Sequence, residues 1–436
     1  MCTYFVNYIN KFSGDFLIDR NLKIFSYEDL QKATTIYFDI FKEIKPGSKV
    51  ILSSDYSFES IAIFLVLSEL SCNICPITLT QKDEFDEKLK IFNSNYIIDS
   101  KQNYNLIKLD NSLIDNSNKN SSITLFSSGT TGVPKMMTQN LGNIFESHLV
   151  PRNQKKLKIL IFLLFDHIGG LNTLISSIKK GMCLAITDSR NPDDIIKFIY
   201  KAKINILPTT PTFINMLLLS EEFASEKFDS VKLITYGTEK MPHGTLKRIN
   251  THLPHTRLLQ TFGTSETGIV KTKSKSSNSL YFKIIDSEYK IINNELFLKT
   301  KTQINKYEGL NSDSFTKDGW FKTGDIVDMD SDGYIKIISR KNNIINVGGL
   351  KVFPNEIEEL IYEIDFVIEA TVYSKPNAIV GNIVCLKVII DKGIDKIYAK
   401  KQIKLFCKTR LDKYKIPQKI IITSEVKSTK RFKKEI

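Results

Sequence analysis

Between residues 49 and 260 the chain keeps alternating a short apolar run with a longer segment of helical periodicity. Lys49-Val50-Ile51-Leu52-Ser53-Ser54 reads as a buried strand, and Ser57 to Leu70 as the amphipathic helix after it. Asn73 to Ile77 gives the next strand and Gln81 to Phe92 the next helix. A second set follows, with strands at 157–165, 182–186, 204–207, 231–236 and 257–260. Helices at 170–180, 192–202 and 210–219 lie between them. Strands separated by whole helices return by crossovers rather than hairpins, so this order predicts largely parallel, doubly wound α/β sheets. From Lys271 the rhythm changes to short strands with turns, at 281–285, 289–291 and 295–298, which suggests a small β-rich subdomain. Residues from about 341 onward read as a separate α+β unit, with helices near 355–362 and 396–409. The polar, Asn/Ser-rich stretch from Asp110 to Ser122 reads as a loop.

A chain of 436 residues predicts two or three domains. Hydrophobic content of 42% with 25% charged residues is that of a soluble globular protein. The longest apolar runs, Ile159 to Phe165 and Ile61 to Leu67, are far too short to span a bilayer. No basic, apolar and small-residue leader opens the chain, so a cytoplasmic location is expected. The six cysteines are scattered, and Cys72-Asn73-Ile74-Cys75 lacks the second pair that a zinc site needs, so core packing is expected there. A net charge of +13 favours anionic partners; nucleic acid is the generic reading, and nucleotides, CoA and acidic carrier proteins fit the charge equally well. No nucleic-acid module is recognisable, however.

Several stretches carry chemistry. Phe126-Ser127-Ser128-Gly129-Thr130-Thr131-Gly132-Val133-Pro134-Lys135 leaves an apolar strand. Its glycines let a backbone approach an anion, its hydroxyls and amides donate to it, and Lys135 adds positive charge. An ordinary polar turn has the same composition. Phe165-Asp166-His167-Ile168-Gly169-Gly170 ends a strand and opens a helix, where ligands gather in open α/β sheets; the plain alternative is a helix cap by Asp166 with His167 packed beside it. Ile234-Thr235-Tyr236-Gly237-Thr238-Glu239 is another strand with a glycine exit. In Gln260-Thr261-Phe262-Gly263-Thr264-Ser265-Glu266-Thr267-Gly268, Phe262 can stack on a base and Gly263 gives the turn. Ser265 can bond a phosphate oxygen, and Glu266 can hold Mg²⁺ against the phosphates. In Asp318-Gly319-Trp320-Phe321-Lys322-Thr323-Gly324-Asp325, the two acceptor oxygens of Asp325 suit a vicinal diol, whereas Asp318-Gly319 reads as a plain hairpin turn.

Together these motifs resemble the adenylate-forming superfamily: acyl-CoA synthetases, adenylation domains of peptide synthetases, and luciferases. Ser-Ser-Gly-Thr-Thr-Gly-x-Pro-Lys is similar to its phosphate-binding signature. Phe262 to Glu266 resembles its Tyr-Gly-x-Thr-Glu, and Asp325 its ribose-binding Asp. Gly237, Thr238 and Glu239 match the segment bordering the adenine and acyl pockets, and His167 matches a residue beside the reacting carboxylate. Residues Ser339 to Glu358 resemble the domain hinge, with Arg340 on the nucleotide and Asn342 where Asp or Lys is usual. At the C-terminus, Thr429 and Lys433 match the spacing of Thr-x-x-Gly-Lys, with Phe432 in place of Gly. Lys433 is thereby the candidate catalytic lysine, with Lys430 and Lys434 as alternatives.

The resemblance implies a large N-terminal domain (1–340) of two α/β sheet subdomains plus a small β subdomain, followed by a small mobile α+β C-terminal domain (341–436). It implies an ATP- and Mg²⁺-dependent ligase that joins AMP to a small-molecule carboxylic acid, expected to be a fatty or other organic acid. The acyl group then passes to CoA or to phosphopantetheine on an acidic acyl carrier protein. Thr131, His167, Glu266 and Lys433 take the catalytic roles, and Ser127 to Gly132, Lys135, Thr264 and Ser265 join the nucleotide contacts. Amino-acid adenylation, with Asp166 pairing an α-ammonium, is a second reading. A non-catalytic nucleotide-binding protein on the same fold is a third.

Overall fold

The computed structural model describes residues 5–79, 84–109, 120–127, 134–148, 151, 153–308, 313–391 and 393–423. Two large sheets form the N-terminal part. The first has six strands in the order Asn105–Lys108, Tyr96–Asp99, Lys49–Ser53, Asn73–Ile77, Ser122–Ser127, Lys135–Asn140. Its four inner strands run parallel, and an antiparallel strand closes each edge. The second has seven strands in the order Arg257–Gln260, Leu233–Tyr236, Ile206–Thr209, Lys158–Ile161, Cys183–Ile186, Asp15–Ile18, Ile24–Ser26. All of its pairings are parallel except the last. The expected parallel architecture is therefore present in both halves.

The core explains why the sheets lie together. Helix Phe58–Glu69 is capped by Ser57, whose hydroxyl accepts from the amide of Ser60. It is apolar on every side, and Ile61 to Leu67 are at most 2% exposed, as a helix between two layers requires. Its Phe64 meets Phe165 edge-to-face at 5.6 Å, joining it to the second sheet's cluster. Each such buried side chain contributes about 1.5–3 kcal/mol. Cys72 and Cys75 are fully buried here, and burial pushes the Cys72 thiol up to about 12.

Two expectations are corrected. The apolar run 157–165 is a strand only over Lys158–Ile161; the rest leaves the sheet but stays in the core, Phe162 against Phe213 at 4.3 Å and Phe165 against Tyr56 at 4.4 Å. The strand expected at 204–207 is Ile206–Thr209. Asn205 lies across the strand ends instead, its Oδ1 accepting from the Lys158 amide at 2.9 Å and its Nδ2 donating to the Ser230 carbonyl at 3.2 Å.

Residues 272–340 form a six-stranded antiparallel sheet with its own core around Phe282, Leu296, Leu298 and Ile335. The small C-terminal domain has a three-stranded sheet, Val367–Asn377, Gly381–Ile390 and Lys419–Thr423. Helices Pro354–Ile361 and Lys396–Arg410 complete it, and a separate apolar cluster fills it. No helix among the described residues is long and apolar enough to cross a membrane.

Candidate functional site

Three strand ends and the start of the small domain converge on a cavity of about 690 Å³, within the range of small-molecule sites. It gathers Thr238, Glu239, Phe262, Gly263, Asp325 and Arg340, six of the residues singled out from sequence. His167 is not among the described residues that line it. Ser128, Gly129, Thr130, Thr131, Gly132 and Lys433 lie outside the described residues.

Asp325 is the centre of this cavity's electrostatics. It sits on strand Phe321–Met329, opposite Arg340 on strand Ile335–Arg340, and is 2% exposed. Arg340 Nε lies 2.7 Å from Asp325 Oδ1, and the Asp325 amide donates to Thr323 Oγ1 at 3.0 Å. Oδ2 is buried and finds no donor among the described residues. Burial pushes the carboxyl up to about 6 despite the guanidinium beside it. Gln260, on the same cavity, also buries its Oε1 without a donor among the described residues. Buried acceptors left unpaired are costly and few, so two on one cavity mark where hydroxyl or amino donors of a ligand are accommodated.

The exit from strand Leu233–Tyr236 is built tightly. A Cβ on Gly237 would come within 2.4 Å of Thr261 Oγ1 and 2.9 Å of its carbonyl, so only glycine fits. Thr238 follows with φ of +70°, a left-handed conformation that a β-branched residue rarely adopts. Glu239 Oε1 accepts from the Thr212 amide at 2.8 Å, in the first turn of helix Pro211–Leu219. Its carboxylate thus holds that helix end as well as lining the cavity.

Phe262 is 7% exposed and packs against Phe282, with ring centroids 5.7 Å apart, so most of the ring belongs to the β-subdomain core. At Gly263 a Cβ would meet the Gly268 carbonyl at 2.3 Å, closing the hairpin of Phe262–Thr264 and Gly268–Val270. Thr264 Oγ1 accepts from the amides of Glu266 and Thr267, at 3.2 and 3.3 Å, so its hydroxyl shapes the turn. Ser265, at that turn, is partly exposed.

Glu266 and Lys135 meet through Tyr307, a residue sequence reasoning missed. Tyr307 Oη donates to Glu266 Oε1 at 2.8 Å, and the Ile304 amide donates to the Glu266 carbonyl at 2.9 Å. Lys135 Nζ stands 4.9 Å from the centre of the same ring. Tyr307 is 4% exposed, and burial together with the neighbouring carboxylate raises its phenol well above the usual range. Lys135 also closes the loop leaving strand Ser122–Ser127, where it pairs with Ser127. One oxygen of Glu266 is thus engaged by Tyr307, and a carboxylate held in this way could serve as a ligand to a hard cation. Tyr307 lies outside any motif; it precedes Glu308, whose amide donates to the Met136 carbonyl at 3.1 Å on strand Lys135–Asn140.

His167 caps helix Ile168–Lys180: its Nδ1 accepts from the Gly169 amide at 3.0 Å. The cap is thus His167 and not Asp166, which is 5% exposed. A Cβ on Gly170 would meet the Leu164 and Leu163 carbonyls at 2.2 and 2.7 Å, so only glycine fits there, whereas one on Gly169 would meet only the end of the Leu163 side chain at 2.6 Å and the His167 ring.

The small domain meets the large one beside the cavity. Lys240 pairs with Glu359 at 2.7 Å and donates to the Ile338 carbonyl at 3.2 Å. Asn355 Nδ2 donates to that same carbonyl at 2.7 Å. Asn215 Nδ2 donates to the Ile368 carbonyl at 3.3 Å and to Glu369. Asn342 and Asn343, in the turn between the domains, line the cavity.

A 2-succinylbenzoate–CoA ligase of Listeria monocytogenes is 26% identical over 325 residues, covering 70% of this chain and 66% of the relative. A mitochondrial medium-chain acyl-CoA ligase of Mus musculus is 25% identical over 328 residues, covering 68% and 53%. The chain thus spans just under two thirds, or less, of these curated relatives. Among solved structures, an anthranilate CoA ligase in complex with anthranoyl-AMP superposes with a TM-score of 0.84 at 17% identity, covering 98% of this chain and 95% of that one. ATP-bound MatB of Rhodopseudomonas palustris gives 0.82 at 18%, covering 98% and 96%. These structural likenesses establish the fold. The model of the AMP-binding enzyme family matches residues 47–296, and that of the AMP-binding enzyme C-terminal domain matches 356–433. The chain therefore belongs to the AMP-binding enzyme family, the adenylate-forming superfamily that its motifs resemble.

Proposed function

We propose that this protein activates a carboxylic acid as its acyl-adenylate and transfers the acyl group to the thiol of CoA. The single observation that carries the reading is the buried Asp325 carboxylate, with Oδ1 held by Arg340 and Oδ2 open to a donor on the cavity. A ribose diol supplies two donors to such a group. The names of its relatives support acid–CoA ligation as the reaction.

In the first step a carboxylate oxygen attacks the α-phosphorus of ATP, the bond to the β-phosphate breaks, and pyrophosphate leaves. The loop from Ser127 to Lys135 contacts the phosphates, and Ser265 donates to one of their oxygens. Glu266, steadied by Tyr307, would hold Mg²⁺, which would supply positive charge against the phosphates. Phe262, Gly237 and Thr238 border the base, Glu239 fixes the wall behind it, and His167 lies on the acyl side. Lys433 balances charge developing between carboxylate and α-phosphate. In the second step the thiolate sulfur attacks the acyl carbon and AMP departs with the bonding pair. The units 1–340 and 341–436 move about Asn342 between the steps, a hinge-type change. The acid is a fatty or other organic acid, and a carrier-protein phosphopantetheine is the alternative acceptor.

ATP–pyrophosphate exchange over a panel of fatty, aryl and amino acids, with hydroxylamine trapping, tests the reading. The expected result is exchange that depends on a non-amino carboxylic acid. Exchange indifferent to every added acid would sink it.

A further inference from the structure

We propose that the outward face of helix Lys396–Arg410 is a docking surface for an anionic lipid bilayer, which the small domain meets from the side without crossing it. The helix carries Lys396, Lys400, Lys401, Lys404, Lys408 and Arg410 and no acidic residue. Ala399, Ile403 and Cys407 are fully buried and anchor it to the domain. At about 100° per residue, the opposite arc holds Ile397, Tyr398, Lys401, Lys404, Leu405 and Lys408, while Lys400 lies nearer the buried stripe. Those four lysines are exposed and, among the described residues, enter no ion pair. Asp391 and Asp395 lie before the first turn, Asp395 accepting from the Tyr398 amide at 2.7 Å. Beyond the last turn, Asp412 is paired with Lys415 at 3.3 Å.

Apolar side chains stand among these charges. Ile397 is 79% exposed, Leu405 57% and Tyr398 53%, and Ile397 and Leu405 are two turns apart on the face. Lysines around isolated apolar side chains, on a convex helix, match the requirements of a lipid interface. The ammonium groups reach the headgroups while the stems and the Ile, Leu and Tyr side chains pass beneath them. Sequence readers of nucleic acid and ion-paired protein interfaces favour the planar Arg fork, whereas the cations of this face are lysines set among exposed apolar side chains. Clusters of four to eight basic residues on such a helix suit anionic lipid. The inference stands apart from the choice of acid substrate and of thiol acceptor.

The test is co-sedimentation of the full chain with equimolar phosphatidylglycerol–phosphatidylcholine vesicles and with phosphatidylcholine vesicles alone. Preferential binding to the anionic vesicles is expected at low ionic strength. It should be lost near 1 M salt, where charges are screened beyond about 3 Å. Lys401→Gln with Lys404→Gln should weaken partitioning about 25-fold, at about fivefold for each lysine. Lys201→Gln with Lys232→Gln, exposed on the large domain and off the helix face, should leave it unchanged. Leu405→Ser should weaken binding to the same vesicles and leave the salt dependence in place. ATP–pyrophosphate exchange, unchanged in each variant, reports an intact fold. Equal binding to neutral vesicles, or equal loss from both lysine pairs, overturns the proposal. So does the discovery that the first pair instead weakens binding to duplex DNA or to an acidic carrier protein while vesicles are ignored.

Discussion

Tyr307 donates its phenolic hydroxyl to Glu266 Oε1 at 2.8 Å, while the ammonium of Lys135 rests 4.9 Å from the same ring. One aromatic side chain thus sets the spacing between a carboxylate and a cation from segments far apart in sequence. Tyr307→Phe keeps the ring and its contact with Phe315, whose centroid is 5.8 Å away, but removes the donor. The Mg²⁺ needed for half-maximal pyrophosphate exchange should rise about 10–100-fold, the usual effect of losing an outer partner of a metal-holding carboxylate. Thermal stability should change little. A metal titration that superposes on the unaltered protein's would remove Tyr307 from this role.

Asp325 makes nucleotide affinity depend on pH. Its carboxyl is raised to about 6 because burial disfavours the charged form. Below that pH the group is protonated and offers the ribose one acceptor fewer. ATP affinity should therefore fall as pH drops through about 6, by about tenfold per pH unit. The effect on folding has the opposite sign: because the folded value lies above the unfolded one, Asp325 favours the folded state most below the unfolded value and least above pH 6. Isothermal titration across this range should show the slope, and Asp325→Asn should flatten it.

Thr238 is held at a φ of +70° that glycine adopts without penalty. Thr238→Gly should relieve strain of about 1 kcal/mol, so thermal melting should move upward. The same change frees the loop bordering the cavity, so nucleotide affinity should fall. A variant that melts lower and binds ATP equally well would contradict both halves.

Lys240 fastens the large domain to the small one. Lys240→Ala leaves Glu359 with Lys336 alone, at 3.5 Å. It also strips a donor from the Ile338 carbonyl. The seam should weaken by about 1–3 kcal/mol, as expected for a partly buried hydrogen-bonded charge. Faster proteolytic cleavage in the turn at Lys341–Asn343, together with a larger radius of gyration in solution scattering, would register the loosening.

Much of this was legible in the sequence for a physical reason. Runs such as Lys49–Ser53 and Asn73–Ile77 are strands buried on both faces, so their composition alone gives them away. Asp325, Phe262 and Gly263 stood in motifs whose chemistry could be argued residue by residue, and they share one cavity. What was hidden depends on distance through space. Asp15–Ile18 crosses to the second sheet and pairs with Cys183–Ile186, a partnership that no local pattern encodes. Phe162 and Phe165 looked like strand because packing and pairing both demand apolar side chains. Tyr307 carried no signal, since a tyrosine gains its meaning only from the carboxylate it meets. The His167 cap was obscured because histidine is an uncommon capping residue and Asp166 beside it a common one.

The junction between the domains has one further implication. Lys240 and Asn355 both aim their donors at a main-chain oxygen, that of Ile338, and Asn215 does the same with Ile368. A peptide oxygen stands there whatever side chain the residue bears. Drift at 338 or 368 can therefore go on without removing these hydrogen bonds, whereas the pairs of Lys240 with Glu359 and of Asn215 with Glu369 tie the two halves through side chains that cannot drift.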